Sequence, residues 1–288
     1  MADFVIITDS SADLPPQIVE KFALTVLPVT FFVDEKPYLN YYDHSAYPVR
    51  DFYNTLKAGA KVRTSATNVA DFLDTFRPVA ESGKDILYLG FSSGLSATFQ
   101  NGRNALMELS EEFPDRKLLA VDSLCASMGQ GLFVYLCCLK KESGASIDEC
   151  FDYARSLVNR INHEFTVADL DQLKRGGRIS AATALVGTVL NIKPMLRVSD
   201  EGKLISVGKV RGRRAAINGL AEKTVAAACD AADTPVFISH GDCLDEAELL
   251  AKIVSERLPD KEIVISNIGP VIGSHSGQGT LAIFVLSN

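Results

Sequence analysis

Short, unbroken apolar runs separated by polar, hydroxyl-rich breaks set the rhythm of the first half of the chain. Phe4-Val5-Ile6-Ile7 is the first of them, and an apolar run of that length without alternation predicts a strand buried on both faces of a mostly parallel sheet. It breaks at Thr8-Asp9-Ser10-Ser11. Asp13, just ahead of Pro15-Pro16, is then placed to cap a helix whose first turn tolerates proline, because those N–H groups have no intrahelical partner. The same grammar returns at Asp85 to Phe91, followed by Ser92-Ser93-Gly94-Leu95-Ser96 and a helical stretch through Met107. It returns again at Leu118 to Val121, followed by Asp122-Ser123 and helical Gly131 to Lys141. Strands alternating with helices predict right-handed βαβ units, with ligands at the carboxyl ends of the strands, where the serine-rich loops lie.

Past about residue 160 the pattern changes. Thr166 to Ala168, Ile205 to Val210, Pro235 to Ser239, Glu262 to Ser266 and Leu281 to Leu286 read as short strands, and Ala215 to Ala228 and Leu244 to Leu258 as helices between them. The expected fold is α/β. An N-terminal α/β domain over residues 1–160, with a mostly parallel sheet and serine-rich loops, precedes a C-terminal α+β domain over 161–288. The segment Ala184 to Leu196 is apolar enough to line a tunnel or to be ordinary core.

Composition narrows the function. With 288 residues, 47% of them apolar, the chain can bury a large core. Its net charge of -7 disfavours nucleic acid and anionic membrane surfaces. No leader and no spanning apolar stretch is apparent, so a cytoplasmic location is expected, with at most transient membrane contact. The six cysteines include no Cys-x-x-Cys pair and read as reduced core residues.

Four loops could carry chemistry. In Ser92 to Ser96, hydroxyls, free N–H groups and a helix dipole converge where an anion would fit, or where the serines simply cap the helix. Thr64-Ser65 is a second hydroxyl pair that could equally cap a helix from Val69 onward. In Ile268 to Gly279, His275 is framed by four glycines that would let backbone approach a ligand. Lys174-Arg175-Gly176-Gly177-Arg178 could clamp a carboxylate or turn at the surface, and the basic run that includes Arg211 could face an acidic partner.

Taken in order, Ile7 to Pro15, Thr64-Ser65, Ser92 to Thr98, Asp122-Ser123 with Ala126 to Gly129, Leu173 to Ser180, Leu190 to Pro194 and Gly273-Ser274-His275 resemble the DegV family. These are bacterial fatty-acid-binding proteins, the lipid-binding subunits of fatty acid kinase. The resemblance runs the length of the chain and implies a non-catalytic carrier with no metal or cofactor of its own. One long-chain fatty acid would lie at the domain interface, its carboxylate held by Thr64, Ser65, Ser92, Ser93 and His275. The resemblance would also place Arg175 and Arg178 near the ligand or in support of the loops that hold it, and Arg211, from the basic run, is a candidate ligand-adjacent or partner contact. The partner, the kinase's catalytic subunit, would supply nucleotide and metal, since the chain lacks a phosphate-binding Gly-x-x-x-x-Gly-Lys-Ser/Thr loop. Two departures from the family pattern, Ala66-Thr67 after Thr64-Ser65 and Gln278 in the glycine-rich loop, bear on headgroup geometry.

A different class competes. Gly90-Phe91-Ser92-Ser93-Gly94 fits the Gly-x-Ser-x-Gly nucleophile elbow, and Asp242 and His275 follow in the order of an α/β-hydrolase triad. Against it, the helix is expected to begin only after Ser96, too late for an elbow.

Overall fold

The computed structural model describes residues 3–168, 170–179, 191–231 and 234–288. The first part of the chain runs β1 (Phe4–Asp9), α1 (Pro16–Lys21), β2 (Thr25–Leu27), β3 (Val29–Val33), β4 (Lys36–Asn40), α2 (Val49–Lys57), β5 (Val62–Thr64), α3 (Val69–Glu81), β6 (Asp85–Gly90), α4 (Thr98–Glu112), β7 (Leu118–Asp122), α5 (Met128–Glu142) and α6 (Ile147–Leu157). The rest runs β8 (Ile161–Thr166), α7 (Asp171–Arg175), β9 (Ile192–Val198), β10 (Leu204–Arg211), α8 (Arg213–Ala227), β11 (Val236–His240), α9 (Leu244–Ser255), β12 (Ile263–Asn267), α10 (Pro270–Ser276) and β13 (Leu281–Leu286).

Strands β2-β1-β6-β7 form a wholly parallel sheet, and β10-β9-β8-β13-β11-β12 form a mixed one. The expected α/β class with a parallel N-terminal sheet and a C-terminal α+β part is what the chain adopts. A third, antiparallel sheet, β4-β3-β5, was not anticipated from the sequence; it packs with α2 around Phe31, Phe52 and Tyr53.

The layering explains why the apolar runs do not alternate. On β1, Ile7 joins the cluster under α3 and α4, while Phe4 and Ile6 join the one around α5. On β13, Ala282, Phe284 and Leu286 face that same α5 cluster, and Leu281, Ile283 and Val285 face α8 and α9. Both faces of both strands are buried, so both read as continuous apolar segments. Helix α5 lies between the two sheets, with Met128 to Val134 all buried, and its cluster draws in Leu87 and Leu89 from one sheet and Phe165 and Phe237 from the other.

Asp13 departs from the sequence reading. It does not cap α1, which has no side-chain cap; Asp13 stands at φ 50° and closes the short 3-10 turn Ser10–Ala12 with its backbone. Its carboxylate instead accepts from Ser127 Oγ at 2.6 Å and Gly269 N at 2.9 Å, binding the first part of the chain to the last. Burial pushes its pKa up to about 7. Asp9, also fully buried, accepts from Ser11 N, Phe91 N and Gln130 Nε2 at 3.0 to 3.2 Å, and burial raises its pKa too.

Among the described residues no helix is long and apolar enough to cross a membrane. All six cysteines are free, and five are buried.

Candidate functional site

The carboxyl ends of β6 and β8, helix α10, and strands β9, β10 and β13 surround a largely apolar cavity enclosing about 820 Å³ of atom-free space, part of it open to solvent. Phe91, Leu95, Phe165, Leu173, Val198, Leu204, Val271, Ile272, Ala282 and Phe284 supply most of its wall. Alternation places these side chains: Phe165 is paired with Ala282 across β8 and β13, so both point the same way from adjacent strands.

Polar groups gather where β5, the β6–α4 loop, α7 and α10 meet the cavity: Thr64, Ser65, Ser96, Thr98, Arg178, His275 and Ser276. Thr64 Oγ1 and His275 Nε2 are 2.8 Å apart. The other ring nitrogen, Nδ1, is buried without a hydrogen-bond partner among the described residues, as is Ser276 Oγ. Burial, with the nearby Arg178 guanidinium, pushes the His275 pKa down to about 4, so the ring is neutral at physiological pH. Gly176 makes this approach feasible, because a Cβ there would come within 2.2 Å of Nδ1.

Arg178 follows Gly177, whose φ of 69° turns the chain back after α7. The guanidinium is half-buried, and burial lowers its pKa from the ordinary arginine value. Nη1 donates to Gly176 O. Among the described residues no carboxylate forms an ion pair with it. A half-buried cation beside a neutral imidazole, two hydroxyls and unpaired polar atoms is an arrangement that favours a carboxylate.

The expected site residues divide. Thr64, Ser65, Arg178 and His275 line the cavity. His275 sits in the last turn of α10 rather than in an open loop, and Thr64-Ser65 does not cap α3, whose cap is Asn68, accepting from Asp71 N. Ser92 does not reach the cavity: it is fully buried and donates to Gly202 O at 2.7 Å, tying its loop to the β9–β10 turn. Ser93 is exposed, and its N–H donates to Asp122. Arg175 and Arg211 are exposed and do not line the cavity. Residues 184–190 of the apolar segment lie outside the described residues; of the remainder, Met195 and Leu196 are buried on β9.

Sequence reasoning passed over Ser96 in favour of its neighbours. Its Oγ accepts from Thr98 N at 3.2 Å and lies 2.9 Å from Thr98 Oγ1 at the start of α4, on the cavity wall. The signal available was proximity to the helix start, where free N–H groups point outward.

The hydrolase triad is not assembled. Ser92 Oγ is spent on Gly202, His275 Nε2 on Thr64, and Asp242 is exposed with Oδ2 accepting from Gln278 Nε2 at 2.7 Å. Helix α4 begins at Thr98, six residues past Ser92, so Ser92 is not at an elbow.

The fold and cavity define an α/β protein with a largely apolar, partly open cavity and a carboxylate-compatible mouth. The model of the DegV family, a family described as uncharacterised, matches residues 3–288, and the chain belongs to that family. A DegV domain-containing protein of Clostridium perfringens is 41% identical over 288 residues, covering 100% of this chain and 99% of that one. Among solved structures, a Thermus thermophilus DegV family protein described for its fatty acid binding superposes with a TM-score of 0.86 at 28% identity, covering all of both chains. A fatty acid binding DegV family protein of Streptococcus agalactiae superposes with a TM-score of 0.84 at 28% identity, again over the whole of both.

Proposed function

We propose that the chain binds one long-chain fatty acid in this cavity and presents its carboxylate to the catalytic subunit of a fatty acid kinase, which forms the acyl phosphate. The observation that carries the reading is Arg178: a half-buried cation without a carboxylate among the described residues, at the polar end of an otherwise apolar cavity. Thr64, Ser65, Ser96 and His275 would complete the headgroup site. Arg178 would supply charge, Ser65 and Ser96 hydroxyl donors, and Thr64 would fix the orientation of the neutral His275 ring. The acyl chain would lie against Phe91, Phe165, Phe284 and Leu204, where each buried methylene contributes roughly 0.8 kcal/mol. Ser65 is exposed, and a carboxylate held there stays within reach of a partner that brings nucleotide and metal.

In this reading the protein is a carrier in the cytoplasm that touches membranes only transiently and feeds acyl groups toward phospholipid metabolism. It performs no chemistry itself. Native mass spectrometry of the purified protein, followed by solvent extraction, tests the binding. One fatty acid per chain is expected, and an empty protein that also refuses added oleate and palmitate would overturn it. Acyl phosphate formed only when ATP, kinase subunit and loaded protein are mixed tests the presentation step.

A further inference from the structure

The cavity has a second end. Thr280 stands just before β13, beyond the helix that carries His275, and Phe284 stands four residues further on in that strand, about 13 Å at strand spacing. Phe284 is paired with His163 on β8, and the β8–β9 register, Glu164 with Arg197, runs on to set Val198 at His163's other side. Phe284, His163 and Val198 therefore stand side by side across three strands, and all three line the cavity. On the far side of them lies a smaller, more polar pocket lined by Ser123, Asn159, Ser199 and Asp200, whose wall also includes His163 and Val198.

The imidazole is held firmly. Nδ1 is 2.8 Å from Ile161 O, and the ring meets Phe284 edge-on with centroids 5.2 Å apart at 90°. From the facing helix, Gly129 leaves the room the ring needs: a Cβ there would fall 2.1 Å from Nε2. His163 is 5% exposed, and its Nε2 is buried without a partner among the described residues. A ring pinned on three sides and shared by two cavities is a partition.

We propose that His163, with Val198 beside it, is the end wall of the acyl cavity and sets the longest chain the site accepts. The inference rests on the fatty-acid reading above and adds its length limit. An acid whose methyl end reaches the wall must bend, leave its headgroup contacts, or displace a well-packed ring into the polar pocket.

The test is a competition titration of the full-length protein with palmitate, stearate, arachidate and behenate. The wild type should lose affinity once the chain meets the wall. In His163→Ala that loss should move to longer acids, with arachidate and behenate gaining at least roughly tenfold relative to palmitate, as expected for two or more newly accommodated methylenes. His163→Phe, which keeps a ring of similar size, should retain the wild-type order. Should His163→Ala lose its cooperative unfolding transition, Val198→Ala thins the same wall and should show the same shift. Palmitate binding with unchanged length ratios in the folded variants would overturn the inference alone. A wild type that binds no acid of any length would overturn the fatty-acid reading, and the length limit with it.

Discussion

Two polar clusters lie within one fold and differ in how far their hydrogen-bonding capacity is used. At the seam around Asp9 and Asp13, both carboxylates are buried and each oxygen has a partner: Ser11 N, Phe91 N and Gln130 on Asp9, Ser127 and Gly269 N on Asp13. At the cavity mouth, among the described residues, His275 Nδ1 and Ser276 Oγ have no partner and Arg178 has no carboxylate. Fully partnered carboxylates stabilise a structure, even with Gln130 Oε1 beside them buried and without a partner among the described residues, whereas unpaired polar atoms lining a cavity are capacity kept for a ligand. The comparison predicts that seam substitutions damage folding and mouth substitutions damage binding.

The largest effect should come from the seam. Asp13→Ala leaves Gly269 N–H unpaired and removes one of the two partners of the Ser127 hydroxyl, Ser239 remaining, and should cost about 3 kcal/mol of unfolding free energy, measured by urea titration. A loss below about 1 kcal/mol would remove the seam from the load of the fold. Arg178→Ala should weaken fatty-acid binding by roughly ten- to hundredfold, the range of a charge-assisted contact, while moving the urea midpoint little. Equal damage to stability and binding would erase the distinction between the clusters.

Acidity separates them further. Asp13 has a folded pKa of about 7, above its unfolded value, so its contribution to stability is full below the unfolded pKa and is lost as pH rises through about 7. His163 and His275, both pushed down to about 4 by burial, act in the opposite sense: their contribution is present above the unfolded histidine pKa and lost as pH falls through about 4. Urea midpoints between pH 4 and 8 should decline toward neutrality less in Asp13→Asn than in the wild type, the remaining decline coming from Asp9, whose pKa burial also raises. The acid-side decline should remain, and its disappearance would assign it to some group other than the two histidines.

The smallest effects discriminate among the serines. Ser96→Ala should weaken binding by about tenfold or less, the worth of one neutral hydrogen bond. Ser93→Ala, with its side chain exposed, should leave the same isotherm unchanged. The reverse order would return the headgroup site to Ser93.

What the sequence by itself determined is the layout of the parallel sheet and of the α+β part that follows it, though not the small antiparallel sheet β4-β3-β5, and the chemistry's vocabulary. Unbroken apolar runs at Phe4 to Ile7 and Leu281 to Leu286 announce strands covered on both faces, because burial on both sides removes any need for alternation. Glycines beside Arg178 and His275 marked the two segments whose backbones pack closely at the mouth. Only the tertiary structure decided between residues of identical chemistry a few positions apart. Ser92 and Ser96 differ by four residues, yet one hydroxyl turns to Gly202 and the other to the cavity, and that choice follows from where α4 begins and how the β9–β10 turn packs. Likewise, Asp13 sits beside Pro15 in a pattern that suits a helix cap, but its partners Ser127 and Gly269 lie more than a hundred residues away. Local pattern ranks what a residue can do, and long-range packing selects which of those things it does.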